Sequence, residues 1–269
     1  MPPDESQQKN GASLFRWLTV GVASFGGWAA ANLLLLAALP LLALVALIGR
    51  RRGAIALRRF GSWFLRLFFV RYLSAVRLLR FAELPDPEST GDARPRLYVA
   101  NHRSWIDALL ALALFPGVRV PVGAGYLRVP LLGTLIRWSG SIPVDTASAA
   151  SALEGIGRAR RALEEGDSLF AFPEGRRAAG RRPLPFSDVF FRVAIETGAP
   201  IVPVVLHSDE PYLAPGPGSW LPRRRATWRI RVLEESTPDP RDRPADLGRR
   251  ARKLLADQLA ELDPPERTR

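Results

Sequence analysis

The sequence predicts an α/β domain with a mostly parallel central sheet flanked by helices, preceded by an N-terminal membrane-associated helical segment. Three observations carry this expectation. Apolar runs of strand length, such as Leu97-Tyr98-Val99-Ala100 and Ile201-Val202-Pro203-Val204-Val205, alternate with longer amphipathic stretches, as in strands joined by crossover helices. Leu14 to Ile48 carries a single charge, Arg16, and exceeds the roughly 20 apolar residues that span a bilayer as a helix. Residues 54–81 then interleave Arg58, Arg59, Arg66, Arg71, Arg77 and Arg80 with Leu, Phe and Trp63, the signature of a basic amphipathic helix at an anionic membrane surface.

In chain order, residues 1–82 form the membrane-associated segment. Its apolar part, 14–48, reads as one tilted span or as a shallow hairpin broken at Gly26-Gly27 and Pro40. Arg50-Arg51-Arg52 follows at once and places that end on the cytoplasmic side by the positive-inside rule. The helix over 54–81 has a second reading, in which its apolar face packs on the following domain. Residues 83–95 are a linker rich in Pro, Asp, Glu and Ser. The α/β domain covers 96–235. Its predicted strands are Leu97–Asn101, Arg119–Gly123, Ile142–Val144, Ser168–Phe172, Ile201–Leu206 and Trp228–Leu233. Its predicted helices are Ser104–Leu114, Leu127–Trp138, Ser148–Glu165 and Val189–Thr197. Residues 236–269 hold a linker and a final helix, Leu247–Leu262, with a frayed tail beyond Pro264.

Composition narrows the chemistry. The 269 residues carry a net charge of +12, no cysteine and two histidines. Disulfides, thiolate metal sites and cysteine nucleophiles are therefore excluded, and a His-rich metal site is not expected. Lys9 and Lys253 are the only lysines among 38 basic residues, a bias best read as genomic base composition. The charge itself favours anionic partners, whether lipid headgroups, an acidic carrier protein or nucleic acid.

Ligand sites in parallel α/β sheets lie beyond the carboxyl ends of strands, and two candidate motifs follow predicted strand ends. The first is Asn101-His102-Arg103-Ser104-Trp105-Ile106-Asp107. Five residues across a strand-to-helix junction let Asp107 fold back on His102, fix its tautomer and leave the other ring nitrogen to take a proton from a hydroxyl. The second is Phe172-Pro173-Glu174-Gly175-Arg176-Arg177. There Gly175 permits a tight backbone, Glu174 can bind acceptor hydroxyls, and the arginines can hold a phosphate or carboxylate. No Gly-x-Ser-x-Gly elbow and no cysteine supplies a nucleophile, which points to direct attack by an acceptor hydroxyl on an activated acyl group. Ile201–Val205 reads equally as a pocket wall and as plain core. His207 reads as a loop or core histidine rather than a second base.

Together these segments resemble the lysophosphatidic acid acyltransferase family of glycerolipid acyltransferases, over about residues 96–206. Asn101-His102 to Asp107 matches the family's His-x4-Asp block. Pro130 to Asp145, with Gly133, Gly140 and Ile142-Pro143-Val144-Asp145, is similar to the second block. Phe172-Pro173-Glu174-Gly175 with Arg177 matches the third, and Val202-Pro203-Val204 the fourth. The resemblance implies His102 and Asp107 as catalytic dyad. It implies Glu174, Gly175, Arg177, Arg176 and Asn101 as substrate-binding residues. The acyl donor it implies is acyl-CoA or acyl carrier protein, with no metal, no cofactor and no nucleic acid. It places the protein at the cytoplasmic face of the inner membrane. The chain departs from the family at several cationic positions. Thr146 follows Asp145 where Arg is usual, Gly123 stands where Lys is usual, Arg176 replaces Thr, and Ser187 replaces a basic residue. Arg128 or Arg176 can substitute for these cations, with lysophosphatidate as the leading acceptor; otherwise a lyso-aminolipid or another alcohol stays open. So do a hydrolase of lipid esters and a non-catalytic basic membrane-binding protein.

Overall fold

The computed structural model describes residues 50–85, 94–129, 140–145, 149–210, 212–215 and 225–263, with isolated positions between 21 and 40 and between 133 and 137. Helix α1 spans Arg50–Leu65 and continues through a π-helical stretch, Arg66–Tyr72, and one more turn, Leu73–Ala75. The helix stops where Arg77 takes a left-handed backbone, φ 59°, and the Leu78 N–H reaches back to the Leu73 carbonyl at 2.9 Å. The amphipathic helix expected over 54–81 therefore ends early. Its last residues join strand β1, Leu79–Glu83, whose Leu-Arg-Phe-Ala-Glu alternation has a period of two rather than 3.6.

The α/β domain follows in the order β2 Leu97–Ala100, α2 Ile106–Leu114, β3 Pro121–Gly123, β4 Ile142–Val144, α3 Ala149–Glu164, β5 Leu169–Ala171, α4 Val189–Thr197, β6 Ile201–Ser208, β7 Ala226–Val232 and α5 Pro244–Leu262. A short 3-10 turn, Ala124–Arg128, follows β3 where the sequence predicts a helix from Leu127. Of the remainder of that prediction, only Gly133, Ile136 and Arg137 lie within the described residues, and all three are helical. The main sheet runs β1-β7-β6-β2-β5, with β6 and β7 the one antiparallel pair in it. The β3-β4 pair extends it beyond β5, because Arg119 bridges to Leu169 and its carbonyl accepts the Phe170 N–H at 2.9 Å.

Both faces of the sheet are covered, as an almost wholly apolar β2 requires. Tyr98 and Ala100 point toward α1 and α2 and pack with Phe68, Phe69, Leu73, Leu110 and Trp228. Leu97 and Val99 point the other way, onto Leu163, Phe191 and Leu247 of α3, α4 and α5. In β6, Val202 and Val204 join the first core, while Val205 meets Leu255 and Leu259 of α5. Ile201–Val205 is thus core, which resolves the two readings of that run. A buried Arg58 on α1 pairs with Asp167 before β5 at 2.8 Å, and the Ser62 hydroxyl donates to the Leu112 carbonyl of α2. The inner face of α1 is therefore part of the domain. Its outer face still carries exposed Ile55, Trp63 and Leu67 beside Arg59 and Arg71.

Among the described residues no helix is long and apolar enough to cross a membrane. The apolar stretch 14–48 and most of the linker 83–95 lie largely outside the described residues.

Candidate active site

Strand order brings the two motifs together. β2 and β5 are adjacent and parallel, with Val99 level with Ala171, so the segments that leave their carboxyl ends emerge side by side. One starts at Asn101, the other at Phe172.

The His102 Nδ1 lies 2.9 Å from Asp107 Oδ2. The same oxygen accepts the backbone N–H groups of Arg103 at 2.6 Å and Ser104 at 2.7 Å. Asp107 sits in the first turn of α2 and is 1% exposed. An oxygen already accepting two N–H donors, near a helix N-terminus, is held as a carboxylate acceptor. Nδ1 must then carry the hydrogen toward it, which leaves the Nε2 lone pair as the free proton acceptor. Ser104 fixes the start of the helix: its Oγ accepts the Ile106 N–H at 3.2 Å and donates to the Tyr212 carbonyl at 2.5 Å. The imidazole also stacks on Phe172, with ring centroids 4.3 Å apart. Behind Phe172 the aromatic contacts continue through Phe170 and Phe115 into the core.

The second motif folds back on the first. One oxygen of Glu174 accepts the His102 backbone N–H and the other the Leu184 N–H, each at 2.8 Å. The Ala178 N–H donates to the His102 carbonyl at 2.7 Å. Gly175 has φ 68°, a conformation glycine adopts without a Cβ penalty. Burial pushes the Glu174 carboxyl above the usual carboxylate range, against its two backbone hydrogen bonds. Asn101 is fully buried and makes a closed pair with β6: its Nδ2 donates to the Leu206 carbonyl at 2.8 Å, and its Oδ1 accepts the Leu206 N–H at 2.9 Å.

Asn101 and Glu174, expected from the sequence to bind substrate, thus have their polar atoms engaged by backbone. In this geometry both side chains hold backbone in place around His102. Arg177 stays at the mouth. Its Cζ is 4.8 Å from the centroid of Trp105, and among the described residues no carboxylate pairs with it. Arg176 and Gly175 are exposed beside it. Trp105 is 39% exposed and makes a T-shaped contact with Tyr126, ring centroids 4.8 Å apart. Neither aromatic residue stands out in the sequence, because only the tertiary fold brings the 3-10 turn against α2. His207 is fully buried and bonded to Asp263 at 3.1 Å, as a core histidine should be. Among the described residues no cluster of His, Cys, Asp and Glu could hold a metal ion.

Residues 82–207 match the family model described as Acyltransferase. The chain is 34% identical over 139 residues to the 1-acyl-sn-glycerol-3-phosphate acyltransferase of Limnanthes alba, covering 51% of this chain and 46% of that protein. It is 28% identical over 185 residues to the enzyme of the same name from Salmonella typhimurium, covering 66% of this chain and 71% of that one. With the chloroplastic enzyme BAT2 of Brassica napus it shares 31% over 112 residues, 42% of this chain and 33% of that one. The chain thus spans about a third to a half of the length of these plant relatives. The fold is that of the crystal structure of the 1-acyl-sn-glycerophosphate acyltransferase PlsC from Thermotoga maritima, with a TM-score of 0.69, 18% identity, and 93% of this chain and 97% of that chain covered.

Proposed function

From the premise that residues 82–207 are an acyltransferase-family domain, we propose that this protein is a membrane-associated O-acyltransferase that transfers a fatty acyl group from acyl-CoA or acyl carrier protein to the hydroxyl of lysophosphatidate, giving phosphatidate. The observation that carries the reading is the dyad. His102 has one nitrogen committed to a buried carboxylate and the other with no hydrogen-bond partner among the described residues.

In this mechanism the acceptor hydroxyl gives its proton to His102 Nε2 as its oxygen attacks the thioester carbonyl. Asp107 stabilises the imidazolium that forms. The C–S bond then breaks, and the leaving sulfur takes the proton back from Nε2. No covalent enzyme intermediate and no cofactor enters. The oxyanion is met by the backbone N–H groups of Arg176 and Arg177, and the Arg177 guanidinium binds the acceptor's phosphate.

Support for membrane association is physical. Exposed Ile55, Trp63 and Leu67 share α1 with exposed Arg59 and Arg71, and the helical positions Val22, Phe25, Leu33 and Leu36 are exposed as well. Such a surface suits an anionic bilayer, and Arg50-Arg51-Arg52 supports the cytoplasmic face by the positive-inside rule. A second acceptor reading rests on Gly123 and Ser187, which leave the mouth with fewer cations and favour a lyso-aminolipid or another alcohol.

The test is acyl transfer by detergent-solubilised protein from palmitoyl-CoA and from palmitoyl carrier protein, with each candidate acceptor and beside His102→Ala. Dyad-dependent transfer to lysophosphatidate is expected, with a loss of roughly 10²–10⁴-fold in the variant. Transfer only to another acceptor would select the second reading. Release of free fatty acid alone would make the protein a hydrolase.

A further inference from the structure

We propose that Trp105 is a positioning residue for phosphate recognition, holding the Arg177 guanidinium at the mouth of the dyad so that a single fixed arginine binds the acceptor's headgroup. The inference rests on the acceptor reading above and assigns the specificity of that site to an aromatic contact.

Four observations carry it. Trp105 lies between His102 and Asp107, so its backbone is fixed by the same turn that builds the dyad, and its N–H donates to the Leu213 carbonyl at 3.1 Å. Its ring meets Tyr126 in a T-shaped contact with centroids 4.8 Å apart, and carries Arg177 Cζ 4.8 Å from its centroid. Arg177 is on a short tether, since its neighbour Ala178 donates to the His102 carbonyl at 2.7 Å. Finally, Arg177 is half-buried and, among the described residues, pairs with no carboxylate. A partly desolvated cation held by a ring rather than an acid keeps its charge available for a ligand, and a guanidinium on an aromatic face keeps its N–H donors free around its rim. Were a carboxylate to hold Arg177 instead, the pair would be neutral and a phosphate would have to displace it.

Arg176, exposed beside it, has no ring beneath it among the described residues, so it contributes long-range attraction rather than a fixed fork. Gly123 flanks the 3-10 turn that carries Tyr126 and supplies no cation of its own, and the turn's Arg128 lies two residues beyond Tyr126. Preorganisation of one arginine therefore takes the place of several loosely placed ones, because less freedom is lost when the ligand binds.

The test is steady-state transfer from palmitoyl-CoA to lysophosphatidate by the full chain in detergent, for wild type, Trp105→Ala, Trp105→Tyr, Arg177→Gln and the Ala/Gln double variant. The expected result is an acceptor KM raised about fivefold to thirtyfold in Trp105→Ala, the range of a partly desolvated cation–π contact. The donor KM should not move, and kcat should fall less than the KM rises. Trp105→Tyr, which keeps a ring face, should recover most of the loss. In the Arg177→Gln background, Trp105→Ala should add less than about twofold, since the ring acts through the arginine.

An unchanged acceptor KM in Trp105→Ala would overturn the inference. So would a rise in donor KM instead, which would assign the guanidinium to phosphates of the CoA. Fully additive losses in the double variant, or Trp105→Tyr as damaged as Trp105→Ala, would also overturn it. Wild-type protein that acylates a neutral lyso-lipid but not lysophosphatidate would overturn the acceptor reading itself, and the anion role of the pair with it.

Discussion

The floor of the site and its mouth are built on opposite principles. On the floor, Asn101, Asp107 and Glu174 are buried and engaged several times over by backbone. At the mouth, Trp105, Arg176 and Arg177 are exposed or half-exposed and, among the described residues, held by aromatic contact or by nothing charged. The difference separates two tasks. Proton transfer needs His102 fixed to within fractions of an ångström, so the fold over-determines it. The headgroup binding proposed for Arg177 needs charge that is still available, and among the described residues no acid pairs with that cation.

The sharpest break of that contrast is on the floor. Asp107→Asn removes the carboxylate that fixes the His102 tautomer. Its amide also presents either an oxygen or a donor to Nδ1 and to two backbone N–H groups that all require an acceptor. Transfer should drop by about 10³–10⁴-fold, by analogy with the measured cost of the same change in a serine-protease triad. The acceptor KM should move little. A loss confined to KM would mean that Asp107 works at the mouth.

Glu174→Gln comes next. Glutamine offers one acceptor oxygen where two backbone donors, His102 and Leu184, each require one. One buried N–H is left facing an NH₂, costing about 1–3 kcal/mol and loosening the His102 backbone. Lower melting temperature and lower kcat should appear together. A change in acceptor affinity with no loss of stability would restore the headgroup role expected from the sequence. Asn101→Ala should cost stability on a similar scale, about 1–3 kcal/mol, by orphaning both polar groups of Leu206. It should do so with a smaller effect on turnover, since it touches neither ring nitrogen of His102.

These floor contacts mark where the sequence was legible and where it was not. His102 and Asp107 are five residues apart, so their meeting is a local consequence of a strand-to-helix junction. Asn101 meets Leu206 and Glu174 meets the His102 N–H across separations of 105 and 72 residues, which no local pattern reveals. Ile142–Val144 and Val189–Thr197 fall where predicted because turn residues bracket them, Gly198 closing α4 in a left-handed cap, φ 68°. Strand β1 was hidden inside the basic amphipathic run. The residue that ends the helix before it is Arg77 in a left-handed conformation, and an arginine carries no stop signal. For α1 the packing reading holds, its inner face set on α2, and exposed Ile55, Trp63 and Leu67 remain on its outer face.

The smallest expected effect lies behind the floor, at His207. Burial is the largest influence on this imidazole and lowers its pKa below the ordinary 6.5; the Asp263 hydrogen bond opposes burial, while Arg103 and Arg229 add to the lowering. Between the folded value and 6.5 the unfolded chain holds a proton that the fold does not, so stability rises with pH in that window. The contribution is complete above about pH 6.5 and is lost as the pH falls toward the folded value. His207→Gln can still donate to Asp263 but does not titrate. The melting-temperature advantage of the wild type over His207→Gln should therefore be larger at pH 7.5 than at pH 5.5. An advantage that shrinks from pH 5.5 to pH 7.5 would mean that His207 enters the fold with its proton, paired to Asp263 as a buried ion pair.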